Sequence, residues 1–169
     1  MKTVVKVIDS VSEYTGRGVL WLTVALVLVL FYETMARQLF TAPTQWAFET
    51  AEMIFCTIAV LGWAYVHRHH GHIRVDVFYA RLSPRGKAVA DVVCSFVFLV
   101  PFLVYLVPTS FSSMMLSWRI NEKLIESTFM PPAAPIRTVI VVGVLLFTLQ
   151  CVAQFIRDLY FLLRNKPYD

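Results

Sequence analysis

Four stretches of the sequence, about residues 18–40, 46–67, 87–118 and 135–163, are apolar over lengths that suit a bilayer better than a small soluble core. At 1.5 Å rise per residue, ~20 apolar residues in a helix cross ~30 Å of hydrocarbon. A backbone in lipid must satisfy its own hydrogen bonds, so each run reads as a helix. The composition agrees, with 58% hydrophobic and only 15% charged residues, where a soluble domain carries about a quarter charged. A soluble globular enzyme is excluded. The net charge of +4 does not point to nucleic acid, because the basic residues flank the apolar runs.

The distribution of those basic residues orients the chain. The N-terminus, the 68–87 loop and the C-terminus carry eleven Lys and Arg, against four (Arg37, Arg119, Lys123 and Arg137) on the other side. The positive-inside rule then places both termini in the cytoplasm. The expected fold is an all-α membrane protein: a single domain over 1–169, four transmembrane helices with interfacial amphipathic helices, in a bacterial inner membrane. The first interfacial helix, 1–16, carries Val4, Ile8 and Val11, with Val7 and Tyr14, on one side and Lys2, Lys6, Asp9 and Glu13 on the other. It is too polar to span and is expected to lie on the membrane surface. A second amphipathic stretch, with Ile73, Val77 and Ala80, is expected within 68–87, before Ser83 and Pro84 open the third span. That span is long for the bilayer, and Pro101 and Pro108 predict kinks. Pro43 and Thr44 read as the start of the second span, with Glu49 and Glu52 at the positive end of its dipole.

The ionisable residues at the membrane are few. Glu33 and Arg37 stand four apart and are expected to pair on one helix face. The pair either neutralises itself near the interface, or Glu33 is the proton-coupled carboxylate of an independent small multidrug-type antiporter. The first reading fits better, because Arg37 removes the need for Glu33 to titrate. His67, His69, His70 and His72 resemble a metal cluster by type. Arginines surround them and Asp76 is the only carboxylate in reach, so contact with lipid phosphate or a partner is the better reading. All four histidines lie at one membrane edge, whereas a di-haem protein needs them inside the spans. Cys56, Cys94 and Cys151 each sit within an apolar run, without a C-x-x-C, and read as small buried hydrophobes. No nucleotide-binding loop, catalytic triad or zinc signature is present. These features describe a small polytopic membrane protein without visible catalytic or coupling machinery, hence a subunit.

One thirty-residue stretch narrows this further. It runs Trp46-x-x-Glu49-x-x-Glu52, then Gly62-Trp63-Ala64-Tyr65, then Gly71-His72-Ile73-Arg74-Val75-Asp76. It resembles the small membrane subunit (Q-type) of tripartite ATP-independent periplasmic (TRAP) transporters. The four-span layout and the proline-rich segment before the last span agree. One departure is Met130-Pro131-Pro132-Ala133-Ala134-Pro135-Ile136, where the family often has a proline followed by tryptophan.

The resemblance implies an accessory scaffold for a sodium-driven, binding-protein-dependent transporter of organic acids, not an enzyme. Its implied partners are a large membrane subunit (M-type), a periplasmic substrate-binding protein (P-type) and membrane lipids, with no nucleic acid. No cofactor is expected in this chain, sodium being bound by the large subunit. Trp46, Glu49, Glu52, His72, Arg74 and Asp76 are implied as structural or partner-interface residues. No catalytic, metal or substrate-binding residue is expected.

Overall fold

Helix forms along each of the apolar runs. The computed structural model describes residues 2–41, 44–69, 84–125 and 129–164. It contains α1 (Lys2–Phe40), α2 (Ala47–Arg68), α3 (Pro84–Cys94), a π-helical segment (Ser95–Leu99), α4 (Val100–Ile120) and α5 (Ala134–Arg164). The segments α3, π and α4 follow one another without interruption, so four helices are long and apolar enough to cross a membrane. Between α4 and α5, Asn121 takes a left-handed conformation after the last turn of α4. Leu124 N then donates to Pro131 O (2.9 Å) and Ala133 N to Glu122 O (2.8 Å), around a single antiparallel bridge between Lys123 and Pro132.

Two boundaries differ from the sequence reading. The segment read as a separate surface helix is continuous with the first span in α1. No proline interrupts it, and Gly16 is accommodated within the helix. At about 1.5 Å per residue its 39 residues extend to ~58 Å. The second span begins at Ala47, next to the expected Trp46, which takes the N-cap position, so that Thr44 stands ahead of the helix and not at its start. Pro43 itself, like the amphipathic stretch expected within 70–83, lies outside the described residues.

The break expected from prolines appears as the π segment just ahead of Pro101. A proline donates no backbone hydrogen bond and its ring crowds the carbonyl four residues earlier, here Val97. The turn is widened there, and Val100 N reaches Ser95 O, five residues back. Pro108 sits within α4.

α5 is the centre of the assembly, touching α1, α2, α3 and α4. Its buried side chains (Val141, Val144, Phe147, Cys151 and Ala153) point in several directions. α2 is wedged between α1 and α5, with Ala47, Ala51, Val60 and Ala64 buried. The third span packs along α5 and leaves Phe98 and Tyr105 more than 70% exposed, which suits a helix surrounded by lipid or by another chain.

Lipid tails are as apolar as leucine, so helix association in a membrane relies on close packing over small residues. Two glycines provide it. A Cβ on Gly16 would sit 2.4 Å from the ring of Tyr65, and one on Gly143 would sit 2.4 Å from Val60 Cγ1 and 2.8 Å from the Val60 carbonyl oxygen. The first joins α1 to α2, the second α2 to α5. At Gly143 part of the obstacle is backbone, so a methyl cannot be relieved by rotating a side chain. Gly143→Ala is expected to destabilise the protein by about 1–3 kcal/mol, seen as a lower thermal midpoint in detergent. Gly62→Ala, at a position where a Cβ meets nothing within 4 Å, is expected to show no loss.

Candidate functional site

Polar side chains meet at the two ends of the bundle, and the end opposite the termini holds Glu33, Arg37, Trp46, Glu49 and Glu52 of those that the sequence reading singled out. Trp46 stacks on Tyr32 across the α1–α2 connection, with ring centroids 5.8 Å apart. One turn on, Glu49 is completely buried in the first turn of α2, where the positive end of the helix dipole faces its carboxylate. Glu52 is on the exposed side of the same helix. Glu33 and Arg37 form the expected pair, at 2.7 Å. The carboxylate is held further than the four-residue spacing suggested: its second oxygen accepts from Thr44 N at 3.2 Å and from the Thr44 hydroxyl. Thr44 therefore ties the α1–α2 connection back onto α1. Nearby, Arg137 on α5 pairs with Glu122 at 2.5 Å, and the Trp118 indole donates to the Thr138 hydroxyl at 3.0 Å. His72, Arg74 and Asp76, and His70 beside them, lie outside the described residues.

The end that carries the N-terminus of α1 and the C-termini of α2 and α5 holds a network that the sequence reading did not identify. Val5, Asp9, Ser12, Gly16 and Val19 recur along α1 at alternating steps of four and three, the spacing of an interhelical seam. Ser12 is buried and donates to Gln150 Oε1 at 2.9 Å. The other end of the Gln150 amide, itself fully buried, donates to Asp9 Oδ1 at 3.1 Å. Arg157 forms an ion pair with the second Asp9 oxygen. From α2, Arg68 Nη1 donates to Asp9 O (2.8 Å) and to Glu13 Oε2 (2.7 Å). His69 Nε2 lies 3.1 Å from the same Glu13 oxygen, and Arg17 holds the other at 3.0 Å. Three helices are joined by this one cluster.

The apolar side of residues 2–15 is the outer one, with Val7, Val11 and Tyr14 exposed at 56, 43 and 77%. On the polar side Lys6 is exposed, whereas Asp9 and Glu13 bond to the other helices, which the sequence reading did not foresee. Buried polar groups are stable only when paired, and here the pairs come from helices more than fifty residues away in sequence. The 4–3 repeat that Asp9 and Ser12 share with Val5, Gly16 and Val19 was the signal in the sequence. Gln150, isolated in an apolar run, was the second.

The histidines are in ordinary structural surroundings where they are described. His69 caps α2 beside Tyr65 and Glu13, and the His67 ring meets the edge of Phe147 at 5.4 Å. Among the described residues no group of His, Cys, Asp and Glu could hold a metal ion. Between the two ends the spans are uncharged: no Asp, Glu, Lys, Arg or His occurs in 18–32, 53–66, 92–118 or 138–156.

The network makes two quantitative predictions. A double-mutant cycle of Asp9→Ala and Arg157→Ala is expected to return a coupling of roughly 0.5–3 kcal/mol in equilibrium unfolding, the range for directly interacting groups. Additive single mutants would contradict the pairing. Gln150→Leu, which leaves Ser12 and Asp9 without their buried partner, is expected to cost about 1–3 kcal/mol, whereas Gln154→Leu, whose amide donates to Asp158 one turn along the same helix, is expected to cost less.

The sequence was also compared with known proteins. No curated protein matches it. A family model described as tripartite ATP-independent periplasmic transporters, DctQ component, matches residues 26–160. The match covers all of α2, α3 and α4, most of α5 and the second part of α1 (residues 26–40), including both polar ends of the bundle except Asp9, Ser12, Glu13 and Arg17. With its four apolar helices, the chain is a multi-pass membrane protein that belongs to the DctQ component family of the tripartite ATP-independent periplasmic transporters.

Proposed function

We propose that this chain is the non-transporting scaffold subunit of a sodium-driven, binding-protein-dependent transporter of organic acids in a bacterial inner membrane. A large membrane subunit carries substrate and sodium, and a soluble periplasmic protein delivers the substrate. The chain itself binds no cofactor and catalyses no reaction.

The observation that carries this reading is the separation of polar groups. Ion-coupled transport uses polar or ionisable groups, or unwound backbone, within the membrane interior. Here the charged residues are gathered at the two ends, and the middle of every span is free of them. Each end is occupied with holding helices together: Asp9, Glu13, Arg68 and Arg157 at one, Glu33, Arg37, Glu122 and Arg137 at the other. The third span, which packs mainly along α5, offers its exposed aromatic face to a larger neighbour. Both termini are assigned to the cytoplasm by the distribution of Lys and Arg. An independent antiporter working through Glu33 finds no support, because that carboxylate is held by Arg37 and by Thr44. Glu52 on the exposed side of α2, and Arg74 and Asp76 in the segment after the other end of that helix, are assigned to contact with the large subunit from the resemblance.

Purification of this chain from its native membrane under mild detergent is expected to bring down a much larger membrane protein in fixed ratio. A chain that elutes alone from membranes known to hold its neighbours would contradict the reading. In the assembled transporter, Glu33→Gln is expected to lower the thermal stability by about 1 kcal/mol, one weakened hydrogen-bonded link, and to leave the ion dependence of uptake unchanged. A changed coupling ion or stoichiometry would assign Glu33 to transport.

A further inference from the structure

We infer that Arg17, backed by Arg68 and His69, binds the phosphate of an anionic phospholipid at the end of the bundle that carries the N-terminus of α1. This goes beyond the scaffold reading and does not depend on it. The three basic side chains converge on a single carboxylate. Glu13 Oε1 accepts from Arg17 Nε at 3.0 Å, and Glu13 Oε2 lies 2.7 Å from Arg68 Nη1 and 3.1 Å from His69 Nε2. One negative charge therefore meets two guanidinium groups and an imidazole. The other carboxylate of the network, Asp9, is already matched by Arg157. With exposed Lys6 on α1 and Asp158 beside Arg157 counted as well, four cations (Lys6, Arg17, Arg68 and Arg157) stand against three carboxylates (Asp9, Glu13 and Asp158). The corner keeps a surplus of positive charge even with His69 neutral.

The donors left over suit a phosphate. Arg17 commits only Nε to Glu13, and among the described residues its two terminal nitrogens bond to nothing. Its side chain is 69% exposed. A guanidinium carries five donors in a planar fork that matches phosphate oxygens. His69 is half exposed beside the same carboxylate, whereas Arg68 is more buried and adds charge more than access. The level in the membrane fits as well. Arg17 stands where the uncharged run 18–32 begins, and Arg68 just after the uncharged run 53–66 has ended, which is where headgroups lie. Tyr14 and Trp21, three residues before Arg17 and four after it, share its face of α1 and are both 77% exposed, as interfacial aromatics are. Leu20 and Trp21 offer exposed apolar surface to acyl chains. The sign of the headgroup follows from the charges. An amine-bearing zwitterion brings an ammonium group into a corner that is already positive, where both oxygens of Glu13 and both of Asp9 accept from protein donors. A headgroup of net negative charge meets neither cost.

Native mass spectrometry of the full-length chain, delipidated and then incubated with equal amounts of phosphatidylglycerol, phosphatidylethanolamine and phosphatidylcholine, tests this. Phosphatidylglycerol is expected to be retained about tenfold better than either zwitterionic lipid, the scale of one charge-assisted hydrogen bond. Arg17→Gln is expected to erase that preference while leaving the thermal midpoint in place, because Arg68 and His69 still hold Glu13 and an exposed pair within one helix adds little stability. Arg119→Gln, which removes one exposed cation from the opposite end of the bundle, is expected to leave the preference intact. Equal retention of the three lipids would overturn the proposal. So would a preference that survives Arg17→Gln, or one that Arg119→Gln reduces equally, which would make it a property of net charge alone. Glycerol phosphate in excess is not expected to displace the lipid. Displacement would make a soluble phosphate the ligand and overturn the proposal as well.

Discussion

The pairing of the polar stripe of α1 with α2 and α5 is the constraint on which the rest of the bundle depends. Asp9 and Ser12 face inward, where an unpaired carboxylate or hydroxyl is costly. Gln150 answers both at once, accepting from one and donating to the other, while Arg157 neutralises the carboxylate. Arg68 reaches the same place from the end of α2. A rotation of α1 would break all of these and bury Lys6 or Tyr14 in their stead. Removing one partner of such a set leaves the other stranded, which is why the cluster specifies one arrangement more than it adds raw stability.

The small residues act on the same geometry. Gly16 lies one turn beyond Ser12 on the inner face of α1 and allows Tyr65 to close against the helix, and Gly143 does the same for Val60. Close contact makes the polar network reachable, and the network fixes which faces meet. At the opposite end Glu33, through Arg37 and Thr44, fixes the connection between α1 and α2. A bundle pinned at both ends and apolar between them suits the scaffold role proposed for it, whereas a moving transport domain carries central polar sites.

Much of this was legible in the sequence, for reasons that differ by element. The four spans follow from the length of the apolar runs, and the disturbed third span follows from Pro101, because both effects are local. The pairing of Glu33 with Arg37 follows from a spacing of four on a helix. What Thr44 does was hidden, because its partner lies eleven residues back and the helix-start reading of Pro43-Thr44 was the nearer explanation. That Asp9 and Ser12 in residues 2–15 bond to other helices was hidden, because their partners lie 138–148 residues away on α5. Gln150 carried the clue, since an amide in the middle of an apolar run demands a buried partner. The family resemblance rested on the 46–76 stretch, and the family match over residues 26–160 agrees with it.

The central claim is that this chain organises a transporter without moving substrate itself. Proteoliposomes holding the chain alone, the large membrane subunit alone, or both, each supplied with the soluble binding protein, a sodium gradient and a labelled organic acid, test it most directly. The account predicts no gradient-dependent uptake with the chain alone and robust uptake with both membrane subunits. Sodium-driven uptake by this chain in the absence of the large subunit would contradict it.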